Sequence, residues 1–518
     1  MGYFDEFVKA IVSGDVTTRD GVLKLKAQLC KRHGLSRVPT NYEILAQVPE
    51  ELREIVEPLL RNKPVRTMSG VAPVAVMTSP YDCPHGRCSY CPGGVTNNSP
   101  QSYTGREPAA LRATMNEFDP HRQTASRLEQ LRAIGHRTDK VDLIVMGGTF
   151  TSRPEEYQEW FVKRCFDAMN GEDSADLEAA HAANEAAPSR CVGLTVETRP
   201  DWFGPRQIDT SMRIGATKVE FGVQILDDDV LDGVKRGHHV AEVVDATRRA
   251  KDAGLKVCYH VMPGLPGSSR EKDLRSFAQM FDDPRFRPDM LKIYPTLVVK
   301  GTELHERWSG GMYTPLSDEE GVSLLAEMKS MVPPYVRILR IQRDIPAGLI
   351  EAGIRKGHLR EMVSDRMSED GLRCRCIRCR EVGHKDIAAS EGAGEPELRA
   401  MSYEASGGKE VFASFEFEDS DSLVGYARLR FPAGPDIDHA FVRELHVYGQ
   451  MVPIDDAPGS NWQHRGFGER LLAECEDMSA AEGRSEIRVT SGVGARGYYR
   501  ALGYERRGRY MAKSLRGP

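Results

Sequence analysis

Apolar residues recur at helical spacing at the start of the chain, in Val8-Ile11, Leu23-Leu25-Leu29 and Leu52-Ile55-Leu59-Leu60, and predict a helical segment over residues 1–70. From 71 to 345 the pattern changes to short apolar runs alternating with amphipathic ones. The runs predict strands at 72–77, 141–146, 192–198, 218–223, 256–262 and 291–294, with helices at 122–134, 155–169, 241–253 and 318–331. Strand–helix alternation builds a parallel sheet, and six such units fit a partial or complete barrel with ligands at the carboxyl ends of its strands. The stretch 172–189, rich in Ala, Glu and Asp, reads as an exposed helical insertion. Residues 346–398 hold a cysteine group and then an acidic, Gly/Pro-containing linker over 386–397. Beyond them, strands at 411–417, 424–431 and 440–447, a helix at 468–482, a strand at 486–490 and a helix at 496–502 predict a separate α/β domain over 399–518. The fold class is α/β, a partial barrel followed by a second α/β domain and preceded by helices.

At 518 residues the chain is long enough for about three domains. Hydrophobic residues at 40% and charged residues at 28% exclude a disordered chain. No apolar run approaches the ~18 residues of a membrane span, and Met1-Gly2-Tyr3-Phe4-Asp5-Glu6 lacks the features of a secretory signal, so a cytoplasmic protein without membrane contact is expected. A net charge of -6 leaves any nucleic-acid contact to a local patch. One candidate is the basic stripe Lys24, Lys26, Lys31, Arg32 and Arg37, followed by Arg61, Lys63 and Arg66. Alone it would pass for a solvated helix face; with a polyanion it would be a phosphate-binding surface.

Of the 11 cysteines, six stand in two tight groups, Cys83, Cys88, Cys91 and Cys374, Cys376, Cys379. In a long chain without a signal peptide this spacing points to metal or cluster ligation, not disulfides. Cys30, Cys165, Cys191, Cys258 and Cys475 sit singly among apolar neighbours and read as packing.

The first group lies in Tyr81-Asp82-Cys83-Pro84-His85-Gly86-Arg87-Cys88-Ser89-Tyr90-Cys91-Pro92, on the loop after the first strand. Three thiolates can hold a 4Fe-4S cluster and leave one iron open to chelate S-adenosylmethionine, whereas three thiolates with His85 could instead make a tetrahedral zinc site. The position after strand one and the aromatic Tyr90 before the last cysteine resemble the radical S-adenosylmethionine (SAM) superfamily, although four residues rather than three separate Cys83 from Cys88. Met146-Gly147-Gly148-Thr149-Phe150 and His260-Val261-Met262-Pro263-Gly264-Leu265-Pro266-Gly267 end further strands where that superfamily meets the methionine amino group and the adenine of SAM; read singly, each is a turn or a rigid loop. Glu197 is a carboxylate at a strand end, aimed at a ligand or paired with Arg199 or Arg213.

The second constellation is Gln463-His464-Arg465-Gly466-Phe467-Gly468-Glu469-Arg470, a glycine loop opening a helix after the strand that carries Glu444, Leu445, His446 and Val447. Free N–H groups of such a helix start bind a pyrophosphate. Strand, loop, helix, strand and terminal aromatic helix follow the order of the GNAT acetyltransferase fold. In that fold the strand 444–447 would hydrogen-bond pantetheine, and of Tyr498 and Tyr499 the latter is expected to be the polar one at the thioester.

The pairing of both domains, with the cysteine loop, Gln101–Gly105, Gly147–Phe150 and Glu444–Gly449, resembles the Elongator protein 3 family, over nearly the whole length. The resemblance implies an enzyme that converts the wobble uridine (position 34) of tRNA to 5-carboxymethyluridine from acetyl-CoA, with a 4Fe-4S cluster on Cys83, Cys88 and Cys91 and SAM as radical source. It also implies acetyl-CoA contacts at Lys140, Glu444, Leu445, His446, Val447, Gly466, Phe467, Gly468, Glu469, Arg470 and Tyr499, with Lys140 and Tyr499 as catalytic candidates. Uracil carbon 5 is a poor nucleophile toward a thioester, so a radical formed at the acetyl methyl is the expected route, and the two domains are expected to share one cleft. The partner is a tRNA anticodon stem-loop, whose unpaired base is cheapest to unstack. A homodimer and further Elongator-like subunits stay open. Cys374, Cys376 and Cys379 are expected to hold zinc, closed by a histidine such as His358 or His384, with a second cluster as the alternative, and Arg373, Arg375, Arg378 and Arg380 to add positive charge for tRNA. A protein lysine acetyltransferase with a structural cluster is the rival, and a radical enzyme acting on another RNA base or metabolite is a second.

Overall fold

Seven strands pair in parallel and in sequence order: β1 (Ala72–Met77), β2 (Lys140–Met146), β3 (Arg190–Thr198), β4 (Lys218–Gln224), β5 (Lys256–Val261), β6 (Met290–Ile293) and β7 (Arg337–Arg340). The computed structural model describes residues 2–35, 37–45, 47–60, 70–383, 394–434, 436–449 and 465–516. β1 and β7 each have one neighbour, so the sheet curls into a partial barrel. Its strands are near-continuous apolar runs because helices cover the outer face: Leu128, Phe161, Phe166, Val243, Phe277 and Leu325 join the strand residues Val74, Leu143, Val145 and Val219 in one core. The seventh strand goes beyond the six expected, since Arg-Ile-Leu-Arg carries too short an apolar signal to register. No helix among the described residues is long and apolar enough to cross a membrane.

The N-terminal helices close their own core of Tyr3, Phe7, Ile11, Leu29, Ile44, Val56 and Leu60. Leu23 and Ile55, expected inside, are 65% and 49% exposed. The basic stripe is broken up: Lys26 is buried and donates to Asn41 at 2.7 Å, Arg32 donates to Glu6 at 2.8 Å, and Arg37 to Glu43 at 2.9 Å. Arg61, Lys63 and Arg66 lie outside the described residues.

The C-terminal sheet has the order β8 (Glu397–Ala405), β9 (Gly408–Phe417), β10 (Ser422–Phe431), β11 (His439–Val447), β12 (Glu486–Val489), β14 (Tyr510–Ser514), β13 (Glu505–Arg507). All pairs are antiparallel except β11–β12. β8 begins where a linker was expected to end, and most of that linker lies outside the described residues. The supposed exposed insertion is also different: its helix Leu177–Asn184 buries Ala180, His181 and Asn184, while Glu178 pairs with Arg506 and Glu185 with Arg496 at 3.3 Å. It is a strut between the domains, and its charges find partners only in the tertiary structure.

Candidate functional sites at the two ends of the barrel

The loop after β1 brings the first three thiols to the carboxyl end of the barrel. Cys83 Sγ lies 3.3 Å from Thr149 Oγ1, Cys88 Sγ lies 3.1 Å from His85 Nε2, and the Ser102 N–H donates to Cys91 Sγ at 3.3 Å. Buried Arg236 faces Cys88 at 3.6 Å. Burial pushes the Cys83 and Cys91 thiols up, so they become thiolates only against added positive charge, which a metal centre supplies. Among the described residues these three sulfurs do not converge within 4.8 Å, whereas those of Cys374, Cys376 and Cys379 do. One tetrahedral ion with bonds of ~2.3 Å needs close sulfurs; the wider set suits a multinuclear cluster, and the residues fit one.

Gly147 and Gly148, at φ 140° and 85°, turn the end of β2 against this loop. A Cβ on Gly148 would stand 3.0 Å from Gln101 and 3.7 Å from Cys83 Sγ, so glycine is required for the close approach. Below the thiols opens a cavity of about 120 Å³ whose walls include Tyr90, Tyr103, Glu197, Glu220, His260 and Tyr294. Glu197 accepts from Tyr103 Oη at 2.8 Å and from Lys292 Nζ at 3.4 Å. Neither expected arginine holds it, because Arg199 is bound to Asp201 at 2.9 and 2.8 Å and Arg213 donates to Glu155 at 3.0 Å.

Inside the barrel the charges continue. Glu220 Oε2 is shared by Lys292 and by His260 Nε2 at 2.8 Å, and Lys218 Nζ stands 3.4 Å from Glu220 Oε1. Burial alone would raise the Glu220 carboxyl, but Lys292 and Lys218 outweigh it and hold the group well below the carboxylate range. Lys218, Glu220 and Lys292 were not singled out by the sequence patterns, and Tyr103 only as part of Gln101–Gly105; the signal was there in charges two apart in Lys218-Val219-Glu220, where a buried parallel strand would be apolar on both faces.

A second cavity of about 350 Å³ lies at the opposite end of the barrel. Lys218, Lys256, Met290 and Arg337, the first residues of β4 to β7, line it from the barrel, and Lys140 does so from the first position of β2. Glu444, Leu445, His446, Val447 and Tyr499 line it from the C-terminal domain. The opening follows from register: β12 pairs with β11 only from His439 to Val442, so the strand from 443 onward loses that neighbour and splays. Burial would raise the Glu444 carboxyl, yet Lys256 and Arg428 prevail and hold it at about 2. Burial lowers Lys140. Of the two tyrosines, Tyr499 is the buried one and Tyr498 is 42% exposed, the reverse of the expected polarity, because Tyr499 packs on Tyr504 while its face reaches the cavity.

Gly466, Phe467, Gly468, Glu469 and Arg470 do not line this cavity. They begin the helix Phe467–Ala481, with Gly466 left-handed at φ 80° and Arg470 stacked 4.5 Å over Phe415; residues 450–464 before them lie outside the described residues.

The C-terminal domain is held by a buried charge network: Arg443 donates to both oxygens of Asp289 at 2.7 Å and to Glu410 at 2.6 Å, Arg430 to Asp252 at 2.6 Å, and Arg428 to Glu444 at 2.8 Å. Gly492 lies against β3, where any Cβ would run into the Val192 carbonyl. At the junction, Ile377 N–H donates to Val336 O at 2.9 Å and Val382 N–H to Leu423 O at 3.0 Å, so the second cysteine group is tied to both domains. No described His, Cys, Asp or Glu joins its three sulfurs; His358 stays outside the group and His384 lies outside the described residues. Arg380, expected to offer positive charge, is 1% exposed and bound to Asp421 at 2.8 Å and to Glu416.

Sequence comparison agrees with this division. Family models match as the ELP3 N-terminal domain over residues 2–68, the radical SAM superfamily over 78–281, the radical SAM C-terminal domain over 288–369 and the GNAT acetyltransferase family over 385–504. The class is therefore a radical SAM barrel joined to a GNAT domain. A tRNA uridine(34) acetyltransferase of Methanocaldococcus jannaschii is 48% identical over 99% of this chain and 96% of its own, and human Elongator complex protein 3 is 43% identical over 95% and 93%. The solved structure of Methanocaldococcus infernus Elp3 lacking its N-terminus superposes with a TM-score of 0.76 at 46% identity, over 86% of this chain and 99% of that one. The chain belongs to the Elongator protein 3 family. The radical SAM family implies a 4Fe-4S cluster and SAM, and acetyl-CoA fits the GNAT domain.

Proposed function

We propose that this protein modifies the wobble uridine of tRNA, joining the acetyl group of acetyl-CoA to carbon 5 of the base as a carboxymethyl group. One observation carries the reading: the GNAT strand that would hold the thioester opens onto the barrel, and that cavity is one ion pair away from the cavity under the cluster thiols. An enzyme acetylating protein lysines would need its acyl site open to a peptide, not to a barrel interior.

Cys83, Cys88 and Cys91 would hold the cluster, which together with SAM supplies a 5′-deoxyadenosyl radical when bound. The chain's own part is positioning. Gly147 and Gly148 let backbone approach the thiol loop, and Tyr103 and Lys292 fix the Glu197 side chain facing the cavity under the thiols. The strand Glu444–Val447 would take the pantetheine, with Lys140 and Tyr499 beside it and Gly466–Arg470 at the pyrophosphate. Burial excludes water from the path between the cavities and protects a carbon radical from quenching. Zinc on Cys374, Cys376 and Cys379 would fix the junction.

The test is anaerobic reconstitution with dithionite, SAM, acetyl-CoA and tRNA, read by mass spectrometry of digested nucleosides, with Cys88→Ala as control. Carboxymethyluridine formed only with every component and an intact cluster supports the reading. Acetylated lysine without modified uridine overturns it.

A further inference from the structure

The two cavities meet at Lys218 and Glu220. Both side chains leave β4 on its inner face, two residues apart, Lys218 into the GNAT-side cavity and Glu220 into the cluster-side one. Their contact is loose. Glu220 Oε2 is already taken by Lys292 and His260, whereas Oε1 is buried with no hydrogen-bond partner and has Lys218 Nζ at 3.4 Å in ion-pair range only. Lys218 can therefore leave without stripping Glu220 of its partners. Lys256, at the same end, stands 3.9 Å from Glu444. Lys218 has a flexible stem and three donors, and although burial opposes its charge, Asp142 and Glu220 outweigh that effect and keep it protonated.

We propose that Lys218 binds the acyl oxygen of the thioester, swinging from Glu220 to the carbonyl as the acetyl end of acetyl-CoA enters the barrel. This rests on the radical reading for its use, but not for its test. An ammonium donor on a thioester carbonyl selects acyl-CoA over free CoA, and it fixes the acetyl methyl at the boundary of the cluster-side cavity. The vacated Glu220 keeps Lys292 and His260, so the switch leaves no buried charge alone.

The experiment is calorimetric titration of the full-length reconstituted protein, without SAM or reductant, with acetyl-CoA and with CoA. For Lys218→Met the acetyl-CoA affinity should fall about tenfold, the effect of one charge-assisted hydrogen bond, with CoA affinity unchanged. The double variant Lys218→Met/Glu220→Gln removes both charges together, so it guards against a folding defect, and it should show the same selective loss. Glu220→Gln alone should retain the wild-type preference. Equal changes for the two ligands, or none, in a folded double variant would overturn the assignment. Failure of the wild type to modify tRNA would instead sink the radical reading and leave this ratio standing.

Discussion

Asp289 is the hub on which the two domains are locked, and Asp289→Asn tests that directly. The network sets Arg428, Arg430, Arg443, Lys251 and Lys256 against Asp252, Asp289, Glu410 and Glu444. Asp289 is fully buried, receives both Arg443 donors at 2.7 Å and the Val257 N–H at 2.8 Å, and has Arg428 at 3.7 Å and Lys251 at 3.8 Å. Asparagine keeps the shape but leaves one more positive charge uncompensated in a dry interface. Breaking one side of a buried pair costs about 3–5 kcal/mol, and at about 2–4 °C per kcal/mol for units of this size the melting temperature should fall by about 6–20 °C. Calorimetry with circular dichroism at pH 7 reads this, with Arg500→Ala as comparison: its pair with Glu185 is at the rim, Arg500 being 47% exposed, and should be worth under about 1 kcal/mol. A loss below about 1 kcal/mol for Asp289→Asn would refute the view that this network fastens the GNAT domain to the barrel.

Three further outcomes follow from the geometry. Burial lowers His181 from 6.5 to about 4, with Arg496 adding to the effect, so the unfolded chain takes up its proton first as pH falls. His181 should therefore cost about 2 kcal/mol of stability between pH 7 and pH 5, and urea denaturation of His181→Gln should show a flatter pH dependence; an unchanged slope contradicts the assignment. Gly492→Ala pushes a methyl into the Val192 carbonyl and should destabilise by about 1–3 kcal/mol or more while weakening acetyl-CoA binding, measured by calorimetry; a neutral result would mean the loop is free of β3. Cys376→Ser should lower bound zinc by elemental analysis with iron unaffected, and parallel loss of iron would show the two cysteine groups to be one system.

The first six barrel strands were legible because each is centred on a buried apolar run, and both cysteine groups were legible from spacing alone. What stayed hidden was set by tertiary contact. β8 has the exposure of an edge strand along almost its whole length, so neither face carries an apolar stripe, and β7 presents two arginines in four residues. The lumen charges Lys218, Glu220 and Lys292 look like strand-edge polar residues until the barrel closes round them. Lys26, Arg32 and Arg37 formed a stripe only as long as Asn41, Glu6 and Glu43 were not known to meet them. Tyr499 lines the GNAT-side cavity, but its burial could not be read from two adjacent tyrosines.

The central claim is that the acetyl methyl of acetyl-CoA reaches the cluster-side cavity through the barrel. The most direct measurement is the isotope content of 5′-deoxyadenosine formed with methyl-deuterated acetyl-CoA, SAM, reductant and tRNA. Deuterium in the 5′-deoxyadenosine is the predicted result, and it should vanish with Cys88→Ala. Unlabelled 5′-deoxyadenosine alongside modified uridine would show that the hydrogen is taken from elsewhere and would contradict the account.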